Sequence, residues 1–361
     1  MNKEVISNQQ AISMIILFMS GTSTIFMVAL SAEGDFWLAI ILSVILACIM
    51  GAIFAYLHAI FPKKNLFDIC EDCFGKIMGK GICILFSYFA FEEAVAVFTN
   101  AKQFITETTM PETPQIITII PIVILCIWVV KEGIEVIGKC ANFFIIIFII
   151  LIFTMVLLLI PQIDLDNFGP VLYKGINPVL KGTLSAFAFP FGEIVMFTMV
   201  FSNFRIKKSA YKVYIGGLVI SGIISLLTSI ATISILGIDI ATTSYFPVFN
   251  AASGIAIGDF IQRLEIFAAV IGVVGSFFKN SILLLAVCKG ISKIFNLSNY
   301  RLIIMPVALL MINFSYFYYD SRMEFVEYNM DVWTYYAIIF EVFIPIMLLL
   351  FAIMKKKSFK K

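Results

Sequence analysis

The sequence is poor in the residues that soluble proteins place on their surfaces and enzymes place in their sites. Only 13% of its 361 residues are charged, and it contains a single histidine, His58. So few charges cannot cover a soluble domain of this length, since 61% of the residues are hydrophobic. Histidine is the most common general base in enzymes, and this chain has only one. We also find no nucleophile elbow, phosphate-binding glycine loop or zinc-binding pattern. An enzyme is therefore not expected, and neither is a cofactor.

Cysteine pairs and basic patches are equally scarce. The sequence has seven cysteines, an odd number, and most of them lie inside apolar segments, so no disulfide framework is implied. Cys70 and Cys73 form one C-x-x-C motif without a second pair, which favours an amphipathic connector at the membrane surface over a metal or redox site. No basic patch with interleaved aromatic residues occurs, so a nucleic-acid partner is not expected.

Long apolar segments recur along the whole chain. A hydrocarbon core about 30 Å thick needs roughly 20 apolar residues of helix, and we count ten such segments. None alternates polar and apolar residues as a membrane-spanning β-strand does, so the backbone hydrogen bonds must be satisfied within helices. The sequence therefore predicts an all-α, polytopic membrane protein that occupies the lipid bilayer. The predicted spans are 11–31, 36–60, 82–105, 116–130, 141–160, 180–202, 213–236, 264–288, 302–319 and 333–354.

The distribution of basic residues predicts the orientation. Most of the 25 Lys and Arg residues fall in alternate connections and in the C-terminal tail, including the cluster Arg205, Lys207 and Lys208. The intervening connections ETTMPETP and GIDIATTSYFPVFNAASGIAIGD contain neither Lys nor Arg. By the positive-inside rule, we expect both termini in the cytoplasm. The first ten residues lack the pattern of a cleaved signal peptide, so the first span is expected to be retained.

Two of the predicted helices contain residues that favour a local break. The first reads LFMSGTSTIFMV, with small residues at mid-depth, and the sixth reads FAFPFGEIV, with Pro190 and Gly192 at mid-depth. Proline removes a backbone donor and glycine lowers the cost of leaving helical geometry. Open backbone is tolerated within a bilayer only where protein or a water-filled cavity shields it from lipid. Both breaks are therefore predicted to face the interior of the bundle.

The two predicted breaks occupy matching places in the chain. If the ten helices form two repeats, at 1–160 and 179–354, the first and sixth helices occupy corresponding positions. Because each repeat has an odd number of helices, five, the second repeat has the opposite orientation in the membrane. Interrupted helices at such positions point to a binding site at the membrane midplane. Glu193 would cost roughly 2.5 to 3.5 kcal/mol if it faced lipid. We therefore predict that the breaks form a pocket and that Glu193 supplies its charge, with a structural hydrogen bond as the alternative.

Three segments of the sequence resemble a known family. The segments ISNQQAISMIILFMSGTSTIF, FGPVLYKGINPVLKGTLSAFAFPFGEIVMFTMVF and IQRLEIFAAVIGVVGSFFK are similar to the endospore germination permeases, the B subunits of spore germinant receptors. This family belongs to the amino acid, polyamine and organocation transporter superfamily. The resemblance implies a LeuT-like bundle of two inverted five-helix repeats, a location in the inner membrane of the spore or the cell membrane, and receptor partners A and C.

Further charges lie inside the predicted bundle. In the resembled superfamily the third helix lines the substrate site, which makes Tyr88 and Glu92 pocket candidates, with interhelical hydrogen bonding as the alternative. Lys279 lies too deep to reach the interface and is expected to pair with Glu92, Glu93 or Glu193. Glu341 and the aromatic run FSYFYYD fit an outer interface belt.

These observations lead to one main functional hypothesis and two alternatives. The main hypothesis is a germinant receptor subunit that binds a small ligand, expected to be an amino acid, at the midplane and so triggers germination. The alternatives are a proton- or cation-coupled amino acid transporter and a structural or channel-like subunit without its own ligand. No metal site is expected. The candidate ligand-binding residues are Ser20, Gly21, Thr22, Ser23, Tyr88, Glu92, Phe189, Phe191, Gly192 and Glu193. The candidate gating or ion-pair residues are Pro190, Lys279 and Glu93.

Overall fold

Ten apolar helices dominate the computed structural model, which describes residues 6–202, 209–254, 265–319 and 321–358. No strand occurs within these ranges. The all-α fold with ten membrane-spanning helices is therefore confirmed. The basic cluster Arg205, Lys207 and Lys208 lies outside the described residues. The helices are α1 Asn8–Phe26, α2 Phe36–Ile60, α3 Leu66–Thr108, α4 Gln115–Glu132, α5 Ile134–Leu159, α6 Ile176–Val200, α7 Ser209–Thr243, α8 Glu265–Phe295, α9 Tyr300–Phe317 and α10 Arg322–Lys355.

Polar residues at the helix ends explain where several helices begin and end. Ser7 and Gln10 form a capping box at the start of α1, with Ser7 Oγ accepting a hydrogen bond from the Gln10 N–H at 3.2 Å. The Asn65 side chain caps α3 in the same way by accepting from the Asp68 N–H. Gly133 separates α4 from α5 in a left-handed conformation, with φ of 101°.

The connector that carries Cys70 and Cys73 is the first part of α3. The helix bends at Gly75, where φ is 82° and ψ is 178°, so the segment before Gly75 runs in a different direction from the membrane span. Both cysteines are free, and the described residues contain no cluster of three potential metal-ligating side chains. Lys293 near the end of α8 binds this segment through Asp68 and Glu71, at 2.8 and 2.6 Å.

The helices separate into a buried centre and an apolar perimeter. Helices α1, α6 and α8 are largely buried, whereas α4, α5, α9 and α10 expose much of their most apolar stretches. The exposed perimeter consists of large apolar side chains such as Trp128, Phe143 and Phe153. This arrangement suits a bundle surrounded by lipid, in which the polar side chains face one another at the centre.

Helix α1 is continuous, which corrects the expectation of a break at residues 20–24. The Thr24 hydroxyl donates to the carbonyl oxygen of Ser20 at 2.7 Å, so the polar side chains here satisfy helical backbone rather than replace it. Gly21 serves close packing instead: an ideal Cβ on Gly21 would lie only 2.1 Å from Cα of Gly275 in α8. Small residues at such crossings let two membrane helices approach closely. The regular helix ends at Phe26, and Met27 then has a φ of 44°.

Candidate functional site

The sixth helix is interrupted where its sequence predicts. Between Ile176–Ala186 and Val195–Val200, the chain forms a π-helical turn at Phe187–Phe191 and a 3₁₀ turn at Gly192–Ile194. Phe189 within this stretch is extended, with φ of −147° and ψ of 114°. We call residues 187–194 the α6 break. Pro190 has no N–H to give to the helix, and the extended Phe189 cannot continue it, so regular α-helix resumes only at Val195.

The α6 break places Glu193 against a buried lysine. The Lys279 Nζ lies 2.7 Å from Oε2 and 2.9 Å from Oε1 of Glu193, and 2.7 Å from Oε1 of Glu93 in α3. All three side chains are at most 3% exposed. We call Glu93, Glu193 and Lys279 the charge triad. It joins α3, α6 and α8 by direct ion pairs, and Lys279 contacts two of its three predicted partners.

Aromatic rings surround the charge triad. The Lys279 ammonium lies 4.4 Å from the ring centroid of Phe189 and 5.2 Å from that of Phe18. Both distances suit a cation–π interaction. Phe191 and Pro190 in the α6 break are buried as well. The predicted residues Phe189, Glu193, Glu93 and Lys279 thus come together in one place between α1, α3, α6 and α8.

A fourth ionisable side chain at this place was not predicted. Glu341 of α10 was expected at an outer interface, but the structure corrects this, because Glu341 is 0% exposed. One of its carboxyl oxygens lies where a side chain on Gly192 would be, 2.1 Å from the ideal Cβ position. The signal was available in the sequence, since Glu341 is a lone carboxylate inside the apolar run AIIFEVFIPIMLLLF, and the argument used for Glu193 applies to it equally.

The other predicted residues of α1 are buried near the centre of the bundle. Ser23 Oγ lies 3.2 Å from Ser225 Oγ of α7, and either hydroxyl can donate. Within the described part of the chain, the hydroxyls of Ser20 and Thr22 have no hydrogen-bond partner. Buried polar groups without a protein partner usually bind water or a ligand. Helix α1 therefore adds free hydroxyls to the bundle centre, although its backbone is not open.

Tyr88 and Glu92 lie away from the charge triad. Glu92 Oε1 accepts hydrogen bonds from the hydroxyls of Tyr318 at 2.9 Å and Tyr328 at 2.6 Å. The Tyr88 hydroxyl is 3.4 Å from that of Tyr318, and the Tyr88 side chain is half exposed on the perimeter. Adjacent residues of a helix point about 100° apart, so Glu93 faces the triad while Glu92 faces α9 and α10. The structure does not bring Tyr88 and Glu92 to the α6 break.

The balance of charge at this place is negative. The charge triad and Glu341 together contain three carboxyl groups and one ammonium group, all buried. Ionised groups removed from water are stable only when they are paired or hydrogen-bonded. Such an arrangement favours the entry of a proton or another cationic group, and the Lys279 ammonium offers a partner to an anionic one.

Comparison with known families decides which protein class this bundle represents. Residues 5–322 match the family described as spore germination protein. The chain belongs to the spore germination protein family. A relative in this family is spore germination protein KB of Bacillus subtilis (strain 168), 28% identical over 100% of this chain and 98% of the relative. Putative spore germination protein YfkT of the same organism is 24% identical over 91% of this chain and 89% of that protein.

Solved structures identify the architecture that this spore germination protein shares. It is similar to Mhp1, a nucleobase-cation-symport-1 family transporter, in a closed conformation with bromovinylhydantoin bound. The TM-score is 0.66 at 13% identity, covering 93% of this chain and 74% of Mhp1. The inward-facing conformation of Mhp1 has a TM-score of 0.58 at 14% identity, covering 92% of this chain and 72% of that one. The fold is therefore of the LeuT-like type, as the family resemblance implied.

Proposed function

We propose that this chain is the membrane-embedded B subunit of a spore germinant receptor, which binds an amino acid at the α6 break and thereby triggers germination. The observation that carries the proposal is the charge triad, which sits at the only interrupted position of α6 in a member of the spore germination protein family. The same proposal includes two five-helix repeats, a location in the inner membrane of the spore or the cell membrane, cytoplasmic termini, and the A and C partner subunits.

The charge triad suits the chemistry of an amino acid. Glu193 and Glu93 can accept hydrogen bonds from an α-ammonium group, and Lys279 can bind an α-carboxylate. In the absence of ligand, the two carboxylates of the triad share the single Lys279 ammonium. A zwitterion can enter by exchanging partners, because its ammonium group can replace Lys279 at one carboxylate while Lys279 binds its carboxylate. The backbone of the α6 break and the free hydroxyls of Ser20 and Thr22 add neutral hydrogen-bonding groups.

A ligand at this place would act on three helices at once. The ion pairs of Lys279 tie α8 to α3 and to the α6 break, so exchange of partners loosens one set of interhelical contacts and forms another. A ligand changes the conformational equilibrium only if it binds one state more tightly than another. The α6 break, where the helical hydrogen bonding is interrupted, is the element that we propose to differ between the two states.

The direct test is germination of spores that carry substituted chains. Spores of a strain that relies on this receptor would be exposed to a mixture of amino acids, and germination would be followed by the loss of optical density. We expect Glu193→Gln to abolish the response at an unchanged level of the protein. Glu92→Gln makes the same chemical change to a buried carboxylate outside the triad and is expected to preserve the response. A normal response in the Glu193→Gln spores would contradict the proposal.

A second candidate function is amino acid transport coupled to a proton or cation. The similarity to Mhp1 supports it, because that protein is a transporter of the same fold. The test is uptake of labelled amino acids into sealed vesicles containing the purified chain. Accumulation above the external concentration would favour a transporter, whereas saturable binding without accumulation would favour a receptor.

A further inference from the structure

Glu341 differs from every other buried carboxyl group at the centre of the bundle. Glu93 and Glu193 bind Lys279, and Glu92 accepts two tyrosine hydroxyls. Within the described part of the chain, neither carboxyl oxygen of Glu341 has a hydrogen-bond partner, and the side chain is 0% exposed. A carboxylate that is closed off from solvent and has no protein donor is costly to keep ionised.

The surroundings of Glu341 do not supply the missing positive charge. Within the described residues, the charged groups that act on it are Glu93 of α3 and Lys279 of α8. Glu193 of α6 follows directly on Gly192, against which the Glu341 carboxyl packs. The Lys279 ammonium is already held between the other two carboxylates at 2.7 Å each. Neighbouring negative charges oppose the ionisation of a further carboxyl group. The neutral, protonated form of Glu341 is the one that this packing accommodates.

The position of Glu341 also ties its protonation to the α6 break. Its carboxyl oxygen occupies the space beside the Cα of Gly192, where even a methyl group would lie 2.1 Å away. Gly192 begins the 3₁₀ turn that leads to Glu193. A movement of α6 away from α10 would therefore open a space beside the carboxyl group, and water or Lys279 could then reach it.

We propose that Glu341 is a proton-binding site: it holds a proton while Gly192 packs against it and releases that proton to water when the α6 break moves away from α10. This inference does not depend on which ligand the protein binds. It adds a proton to the groups exchanged when the bundle changes conformation. It also assigns α10, which the sequence placed at an interface, a part in the central site.

Infrared spectroscopy can observe the proposed proton directly. A protonated carboxyl group has a carbonyl stretch that is well separated from the bands of a carboxylate. We expect the purified wild-type protein in detergent to show such a band at neutral pH, and Glu341→Gln to lose it. Glu92→Gln is the matched control, and it is expected to keep the band because Glu92 has two hydroxyl donors that stabilise its charge. Absence of the band in the wild type, or its loss in Glu92→Gln instead, would overturn the proposal.

Two further variants keep the test decisive if Glu341→Gln does not fold. Glu341→Asp retains a carboxyl group on a shorter side chain, so the band should remain and shift in frequency. Gly192→Ala places a methyl group against the carboxyl oxygen and should also shift or reduce the band. Gly81→Ala, where a Cβ meets nothing within 4 Å, should leave it unchanged. A band that is unmoved by both Glu341→Asp and Gly192→Ala would show that the proton lies elsewhere.

Discussion

Replacement of Lys279 by methionine removes the only ammonium group of the charge triad and leaves two buried carboxylates without a partner. The wild-type ammonium lies 2.7 Å from a carboxyl oxygen of Glu93 and of Glu193, and all three side chains are at most 3% exposed. Breaking a buried ion pair by removing one partner costs about 3 to 5 kcal/mol. We therefore expect Lys279→Met to lower the free energy of unfolding by at least this amount at neutral pH.

The pH dependence of this loss follows from the same charges. Without Lys279, a carboxylate can avoid unpaired burial by taking up a proton, and for an ordinary pKa of about 4.3 this costs about 3.7 kcal/mol at pH 7 and about 1 kcal/mol at pH 5. The destabilisation by Lys279→Met should therefore shrink as the pH falls from 7 to 5.

The assay is unfolding of the detergent-purified protein by titration with a denaturing detergent at pH 5 and pH 7. The decisive comparison is the triple variant Lys279→Met, Glu93→Gln, Glu193→Gln, which contains no unpaired charge. Replacing a whole buried ion network by neutral side chains is often close to neutral for stability, so we expect the triple variant to recover most of the loss. Equal stability of wild type and Lys279→Met, or a triple variant as unstable as Lys279→Met, would refute the account of the charge triad.

Three smaller predictions concern packing and hydrogen bonding. Gly21→Ala should destabilise the protein by about 1 to 3 kcal/mol through overpacking, because its Cβ would lie 2.1 Å from Cα of Gly275. Gly81→Ala is the control and should not destabilise it, and equal unfolding midpoints of the two variants would contradict the close α1–α8 contact. Tyr328→Phe should lower the free energy of unfolding by about 1.5 to 3 kcal/mol, since it removes a hydrogen-bond donor to the carboxylate of Glu92, while Tyr335→Phe on the exposed face should leave it unchanged. An unchanged free energy of unfolding in Tyr328→Phe would show that other groups hold Glu92. Gly192→Ala should weaken amino acid stabilisation of the purified protein by displacing Glu341 from the α6 break; thermal unfolding with and without amino acids measures this, and an unchanged ligand effect would separate α10 from the site.

The break in α6 and the continuity of α1 show what local sequence can predict. Pro190 acts through its own backbone, because it lacks an N–H, so its effect on α6 can be inferred from the sequence. Gly21 permits both a break and a close helix contact, and only its neighbour decides between them. That neighbour is Gly275, 254 residues further along the chain, at a Cβ distance of 2.1 Å. Single-sequence reasoning has no access to such a contact.

The same distinction separates the ionisable residues. The cost of burying charge predicts that Glu193 and Lys279 have partners, and both do. Glu92 and Glu93 are equally buried neighbours, and only the rotation of α3 determines that one faces Lys279 and the other faces Tyr318. Glu341 carried the same signal as Glu193, but without a helix breaker beside it. The partner of a buried charge depends on helix rotation and packing, which the sequence does not encode locally.

The central claim is that the α6 break and its charge triad bind an amino acid, and thermal unfolding of the purified chain tests this most directly. A ligand at 100 times its dissociation constant stabilises the native state by about 2.7 kcal/mol. We expect at least one amino acid to raise the unfolding temperature of the wild type and of Glu92→Gln, and to leave that of folded Glu193→Gln unchanged. Equal stabilisation of wild type and Glu193→Gln would contradict the claim, because the ligand would then bind without the carboxylate of the α6 break.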